Sequence, residues 1–406
     1  MAASIDEQVD AIFLGAEFGD ETLAATMRKE FRDKLVDARA RNQPLRVYAG
    51  YDPSKPDLHL GHSITMRKLR LFQDFGHDVT FVVGTFTAQV GDASDKLEGR
   101  PRLEAERVRA AAESYTEQAF AILDPERTTI RYNDEWLSTL HLPDVIEIAS
   151  VFTVQQFLAR ETFRKRYDSG DPIRLHEFMY ALLQGYDALH LDADVQLGAT
   201  EQLFNIMAGR RLQDVHGKRG CTPITFPVLV GLDGKSRMSK SAGNYVGLRE
   251  SPNDQFGKVM SIDDDTMRNW IPLVSSWSPP EVAARLRELD AKSLHPMELK
   301  KQLAADIVTL YHGEGAAKEA QGHFEALHQQ RDYSAGNAAR IVLDTDVLLD
   351  AVVKIASESK RGARRLLGEG AVRVNDEIVD DENHRLTTGD LVRVGKRHLY
   401  VVEVPA

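Results

Sequence analysis

Four residues, His59-Leu60-Gly61-His62, follow an extended run ending at Tyr51-Asp52-Pro53. Histidines three apart share one face of a helix. Gly61 between them carries no side chain, so another group can approach the backbone there. A helix start offers unbonded N–H groups and partial positive charge, which suits phosphate. The pattern reads as a nucleotide triphosphate laid across the helix start, with His59 and His62 donating hydrogen bonds to phosphate or ribose oxygens. Two other readings stay open here: a metal pair, for which no third ligand stands at a telling spacing nearby, or two solvated imidazoles. A second segment, GLDGKSRMSKSAGNYV (231–246), is dominated by Gly, Lys, Arg and Ser. That composition suits a mobile loop able to fold over phosphates. In a third pattern, Tyr180, Gln184 and Asp187 are spaced to lie on one helix face.

These groups need a frame that brings them together. LRVYAGY (45–51) and TTIRYN (128–133) read as strands. DVTFVVG (78–84) is a β-branched run bounded by glycine, as in a strand buried on both faces. TPITFPVLVG (222–231) reads as a further buried strand. Helical spacing follows HLGH, through Ile64, Leu69, Leu71 and Phe72, and again covers roughly 103–123. Such alternation implies a doubly wound, Rossmann-like parallel sheet with helices on both faces, ligands sitting outside the carboxyl ends of its strands. Strands stop after residue 247, and 253–330 reads as helical, with Ser278 and two prolines marking one helix start. The expected domains are 1–247, a helical 248–331, a linker at 332–340, and a compact α+β module at 341–406 with helices near 346–358 and 360–368.

With 406 residues, the chain has room for two or three domains. Its net charge of −11 argues against a surface coated for nucleic acid, though not against local basic patches. No apolar run reaches membrane-spanning length, and MAASIDEQVD lacks a basic-then-apolar signal. The single cysteine, Cys221, precludes an internal disulfide and reads as a small strand-end residue. A cytoplasmic protein is expected.

HLGH followed by RMSKS resembles the paired signatures of class I aminoacyl-tRNA synthetases. YAGYDPSKPDLHLGH, VGDASDK, FMYALLQGYD, QLGATEQLFN, RMSKSAGNY and HPMELKKQLA together resemble the bacterial tyrosyl-tRNA synthetases over nearly the whole chain. The resemblance implies tyrosine activation by ATP, then transfer to the 3′ end of tRNA(Tyr). It assigns Tyr48 and Asp187 to the phenol hydroxyl of the substrate, a group that both donates and accepts. Loss of that hydroxyl leaves a buried carboxylate unpaired, an effect for which tyrosyl-tRNA synthetases are themselves the standard illustration. Asp92, Tyr180 and Gln184 resemble the ammonium-binding group, with Gln196 and Gln202 as further tyrosine contacts. On the ATP side stand Gly50, Asp52, Ser54, His59, His62, Gly198, Glu201, Met238 and Lys240. An already ionised carboxylate needs no general base, so catalysis would rest on alignment and on stabilising charge at the pyrophosphate. The catalytic candidates are accordingly His59, His62, Lys96, Arg100, Arg237, Lys240 and Ser241. Mg²⁺ is expected to arrive on ATP, with no dedicated protein ligands.

Some positions depart from the family pattern. Arg237 stands where Lys is usual, Ala199 where Gly is usual and Glu201 where Asp is usual; Ala93 and Asp95 replace common Pro and Gly. Arg237 keeps the charge with a wider planar donor set. The methyl of Ala199 is expected to crowd the adenosine. The C-terminal stretch SESKRGARRLLGEGAVRVNDEIV resembles the S4 RNA-binding module, with Lys360, Arg361, Arg364 and Arg365 as a basic face for RNA phosphate. The helical middle domain resembles the family's anticodon-binding domain. A homodimer is implied through the insertion around 130–175. Two alternatives are a tryptophan-specific relative and an RNA-binding protein that has lost aminoacylation.

Overall fold

The computed structural model describes residues 3–53, 58–92, 105–327, 338–356, 358–395 and 398–405. The chain divides into two compact units, Met1–Glu250 with Ile262–Leu299, and Ser251–Ser261 with Lys300–Ala406. Among the described residues no helix is long and apolar enough to cross a membrane.

The first unit is built on β1 (Arg46–Tyr51), β2 (Asp78–Val83), β3 (Thr128–Tyr132), β4 (Val195–Ala199) and β5 (Thr222–Phe226). The pairings are all parallel, in the order β3-β2-β1-β4-β5. Helices Leu60–Asp74, Ala105–Ala119, Leu175–His190 and Leu203–Val215 lie in the crossovers. The strand order reverses at β1, between β2 and β4, which opens a crevice beyond the carboxyl ends of the strands. β5 is shorter than the expected 222–231. Pro227 has no N–H to donate, and Val230 turns to pair with Arg237 instead. Pro223 is tolerated because β5 is an edge strand.

The helix after HLGH buries Ile64, Leu69 and Phe72, as its spacing predicts, and Leu60 as well, while Leu71 is half-buried. It also buries Lys68, whose Nζ donates to Ala11 O at 2.8 Å. Burial pushes this ammonium down to about 7. Between β3 and β4 the chain adds helices Asp134–Leu137, Leu142–Ser150, Val154–Leu158 and Glu161–Ser169. A buried pair ties this insertion together, Arg166 Nη2 to Glu177 Oε1 at 2.9 Å. Leu142, Ile146, Val154, Tyr167 and Leu175 remain exposed. Ser278 heads the helix Pro279–Asp290, its N–H donating to Glu281 Oε2 at 2.8 Å.

The second unit contains helix Pro252–Met260 and a mixed sheet of β6 (Ala339–Val342), β7 (Val372–Val374), β8 (Glu377–Ile378), β9 (Leu391–Val394) and β10 (His398–Glu403). Its order is β6-β10-β9-β7-β8. Helices Leu348–Ala356 and Lys360–Gly368 pack on it through Leu348, Val352, Ala363 and Leu367. Most of the expected linker, 332–337, lies outside the described residues, and Ala339 and Arg340 already belong to β6.

Candidate active site

A cavity of about 270 Å³ opens where β1 and β4 end. Gly50, Asp52, His62, Asp92, Tyr180, Gln184, Asp187, Gly198, Ala199, Glu201 and Gln202 all line it. Residues as far apart in the chain as Gly50 at the end of β1 and Gln202 after β4 thus meet at one place.

At one end stands Asp187. Trp136 Nε1 donates to its Oδ1 at 2.8 Å and Asn133 Nδ2 to its Oδ2 at 3.2 Å. Burial nevertheless dominates and pushes the carboxyl up to about 8. Tyr48 packs beside Val82, Trp136 and Ala188. Its phenol is raised well above the ordinary range by burial, and further by the neighbouring Asp187 charge. The Tyr48 hydroxyl is buried and has no hydrogen-bond partner, and the same holds for Gln196 Oε1. The two residues are register partners on adjacent strands, so these two polar atoms stand on one face of the sheet.

The next group is a chain of amides and acids. Gln202 Nε2 donates to Asp92 Oδ2 at 2.5 Å, and Asn205 Nδ2 donates to both Gln202 Oε1 at 3.0 Å and Gln184 Oε1 at 3.1 Å. Tyr180 Oη donates to Asp52 Oδ2 at 2.9 Å and Thr87 Oγ1 to Asp52 Oδ1 at 2.8 Å. Asp52, assigned to the ATP side by resemblance, therefore stands at the seam between the two halves. Gly84 permits this arrangement, because a Cβ there would lie 2.0 Å from Asp52 Oδ1.

At the other end, His59 caps the helix Leu60–Asp74. Its Nδ1 accepts from Gly61 N at 3.2 Å, and His62 Nδ1 accepts from His59 N at 3.3 Å. Both rings are thereby set as the tautomer with hydrogen on Nε2 while neutral. Burial first, then the charge of Lys240, lowers His62 to about 4, so it stays a neutral donor at physiological pH. With both Nδ1 atoms taken by main-chain N–H groups, the metal-pair reading loses its support. Among the described residues no group of three or more His, Cys, Asp or Glu is arranged to hold a metal.

The two signature segments are laced together by main chain. Leu60 N donates to Val246 O at 3.0 Å and Leu248 N to Leu58 O at 3.1 Å, flanking an antiparallel bridge between His59 and Gly247. Lys240 Nζ lies 5.6 Å from the Tyr245 ring centre, and that ring lies 6.3 Å from His59. Arg237 Nη1 is 3.8 Å from Glu201 Oε2, so two departures from the family pattern face each other. Met238 is buried in the base of the loop, and Ser241 is exposed at its tip. Ser54, Ala93, Asp95, Lys96 and Arg100 lie outside the described residues.

Asn133, Trp136 and Asn205 were not singled out from the sequence. NDEW directly follows β3, and the carboxyl-end rule for parallel sheets was the signal available for the first two. In the second unit, Lys360 pairs with Asp350 at 2.9 Å and Arg364 with Glu382 at 2.6 Å. Arg361 and Arg365 are exposed one turn apart.

Residues 40–329 match the family described as tRNA synthetases class I (W and Y), and residues 348–392 match the S4 domain. A tyrosine–tRNA ligase of Desulfotalea psychrophila is 41% identical over 404 residues, covering 98% of each chain. A tyrosine–tRNA ligase of Aquifex aeolicus is 42% identical over 375 residues, which is 91% of this chain and 94% of its own. The solved tyrosyl-tRNA synthetase of Archaeoglobus fulgidus, complexed with L-tyrosine, superposes with a TM-score of 0.60 at 22% identity, over 79% of this chain and 100% of that one; this likeness speaks to the fold alone. On the family match and an identity sustained along almost the full length, the chain belongs to the class I tRNA synthetases of the W and Y type.

Proposed function

We propose that the protein is a tyrosine–tRNA ligase, which joins L-tyrosine to ATP as tyrosyl-adenylate and then esterifies tRNA(Tyr). One observation carries the reading: one cavity is lined by the buried Asp187 and by Gly61 and His62 of a helix start suited to phosphate, and Arg237 of the cationic segment lies 3.8 Å from Glu201 on its wall. In the first step a tyrosine carboxylate oxygen bonds to the α-phosphorus and the bond to pyrophosphate breaks. In the second, a terminal ribose hydroxyl of tRNA bonds to the acyl carbon and AMP leaves.

The Tyr48 hydroxyl and Asp187 would bind the substrate phenol, and the unpartnered Tyr48 Oη supports a ligand in that role. Asp92, Tyr180 and Gln184 would hold the ammonium, with Gln196 and Gln202 as further tyrosine contacts. Nε2 of His59 and His62 would donate to ATP oxygens, and Arg237, Lys240 and Ser241 would meet charge growing on the pyrophosphate. Lys96 and Arg100 would join them. ATP would be the substrate, with Mg²⁺ carried on it rather than held by dedicated protein ligands. Ala199 would crowd the adenosine, and Glu201, one carbon longer than Asp, would reach further toward the ribose. The exposed apolar side chains of the insertion suit a homodimer contact, and Lys360, Arg361, Arg364 and Arg365 suit tRNA phosphate. We place the enzyme in the cytoplasm.

ATP–pyrophosphate exchange tests the reading. Exchange driven by tyrosine is expected. Exchange driven by tryptophan would reassign the substrate, and no exchange with either would remove the ligase function.

A further inference from the structure

The 231–246 segment is two structures rather than one loop, and we propose that Asn244 makes the division. It braces a stem that carries Arg237, leaving the tip with Lys240 and Ser241 as the part that moves. This deepens the ligase reading and rests on it.

The stem begins with Met238 N donating to Leu229 O at 2.7 Å, the Val230–Arg237 bridge, and Gly231 N donating to Ser236 O at 2.8 Å. Its turn is closed by Asp233 Oδ1, which accepts from Lys235 N and Ser236 N, each at 3.0 Å. Leu229, Met238 and Val246 are buried and anchor both ends. Asn244 ties these pieces together. Its Nδ2 donates to Asp233 Oδ2 and to Arg237 O, each at 3.1 Å, and its Oδ1 accepts from Ser239 N at 2.9 Å. Its main-chain oxygen accepts from Leu232 N at 2.9 Å. A short carboxamide is both donor and acceptor, and this site uses both. The packing leaves no slack: a Cβ on Gly231 would lie 2.2 Å from Asn244 Nδ2.

The tip differs. Ser241, Ala242 and Gly243 are exposed, and the main chain there makes a local turn, Gly243 N to Lys240 O at 3.1 Å. Arg237 and Lys240 would therefore serve the same reaction in different ways. The Arg237 backbone is fixed before ATP arrives, with its guanidinium directed at Glu201 on the cavity wall. Lys240 would come to the phosphates with the tip. Fixed charge costs no reorganisation at the moment of reaction. Asn244 is thus a positioning residue for Arg237, and a misplacement of about 1 Å in such a group can reduce a rate about a hundredfold.

Full-length wild type, Asn244→Ala and Asn244→Asp decide this by two readouts. Amide hydrogen exchange over 229–238 should quicken in both variants while β1 to β5 keep their protection. In tyrosine-dependent pyrophosphate exchange, Asn244→Ala should lower kcat about a hundredfold and leave KM for tyrosine within about twofold. Adding Arg237→Ala should then lower kcat little further, while adding Lys240→Ala should lower it by its full factor. Asn244→Asp keeps the acceptor for Ser239 N but loses the donor to Arg237, so it should behave alike even if the alanine variant fails to fold. Unchanged amide exchange in the stem, or a full Arg237→Ala loss in the Asn244→Ala background, overturns the proposal. If the wild type shows no tyrosine-driven exchange, the ligase reading falls, and the amide-exchange arm still decides whether Asn244 braces the stem.

Discussion

The amino-acid end and the phosphate end of the cavity are assembled differently. At the first, Asp187, Asp92, Gln184 and Gln202 are each fastened to a neighbouring side chain, and the two acids are buried. At the second, Arg237 projects an exposed side chain from the braced stem, Ser241 is exposed on the tip and Lys240 is half-buried, facing a helix start whose donors are main chain and imidazole. The first end is prebuilt and suits discrimination between similar side chains. The second is open, which suits a triphosphate that must enter and a pyrophosphate that must leave.

The sharpest way to break this contrast is Asp187→Ala. It leaves Trp136 Nε1 and Asn133 Nδ2 without their acceptor as well as removing a phenol partner. The loss in kcat/KM for tyrosine should be about a thousandfold, roughly 4 kcal/mol, with KM for ATP nearly unchanged. Equal losses toward both substrates would mean that the ends are not separate. Lys240→Ala should show the complementary split, kcat for pyrophosphate exchange falling about a hundredfold while tyrosine affinity, by equilibrium dialysis, holds.

A third test uses pH. Asp187 titrates at about 8 in the folded chain against an ordinary value of 3.8. Between those values the folded chain holds a proton that the unfolded chain has lost, so this group makes stability fall as pH rises through the window. Urea melts at pH 5.5 and 7.5 should show Asp187→Asn gaining about 2 kcal/mol on wild type across the interval. A constant difference would contradict a buried, protonated acid. A smaller effect is expected for Ala199→Gly: KM for ATP should drop about threefold, roughly 0.7 kcal/mol, with KM for tyrosine unchanged. Least of all for the cavity, Arg361→Ala with Arg365→Ala should leave pyrophosphate exchange untouched. It should weaken tRNA binding and flatten its salt dependence more than Lys360→Ala with Arg364→Ala, because Asp350 and Glu382 already neutralise the latter pair.

Reading the sequence went furthest where the signal was local. β1 and β3 were legible as short strands, β2 as a β-branched run, and the HLGH helix from its apolar spacing. β4 was not: it is five residues long, with Gln196 in its interior and Gly198 near its end, so neither alternation nor a continuous apolar run marks it. Its existence follows from the sheet, which needs a partner for β1 on the side away from β2. The same limit hid Trp136 and Asn205. Each acts through a partner distant in sequence or turned by one helix, Trp136 on Asp187 and Asn205 on Gln184, and spacing carries no information on such pairings. The opposition of Glu201 to Arg237 was hidden likewise; in the sequence they were two separate departures.

The ladder between Leu58–Leu60 and Val246–Leu248 runs through peptide groups alone. Its hydrogen bonds name no side chain at the motif letters beside it, and it is held from beneath by the buried Leu58, Leu60, Val246 and Leu248. Mutational drift at the flanking motif letters can therefore retune the chemistry without unmaking the juxtaposition, and new letters are tried on a frame that stays assembled.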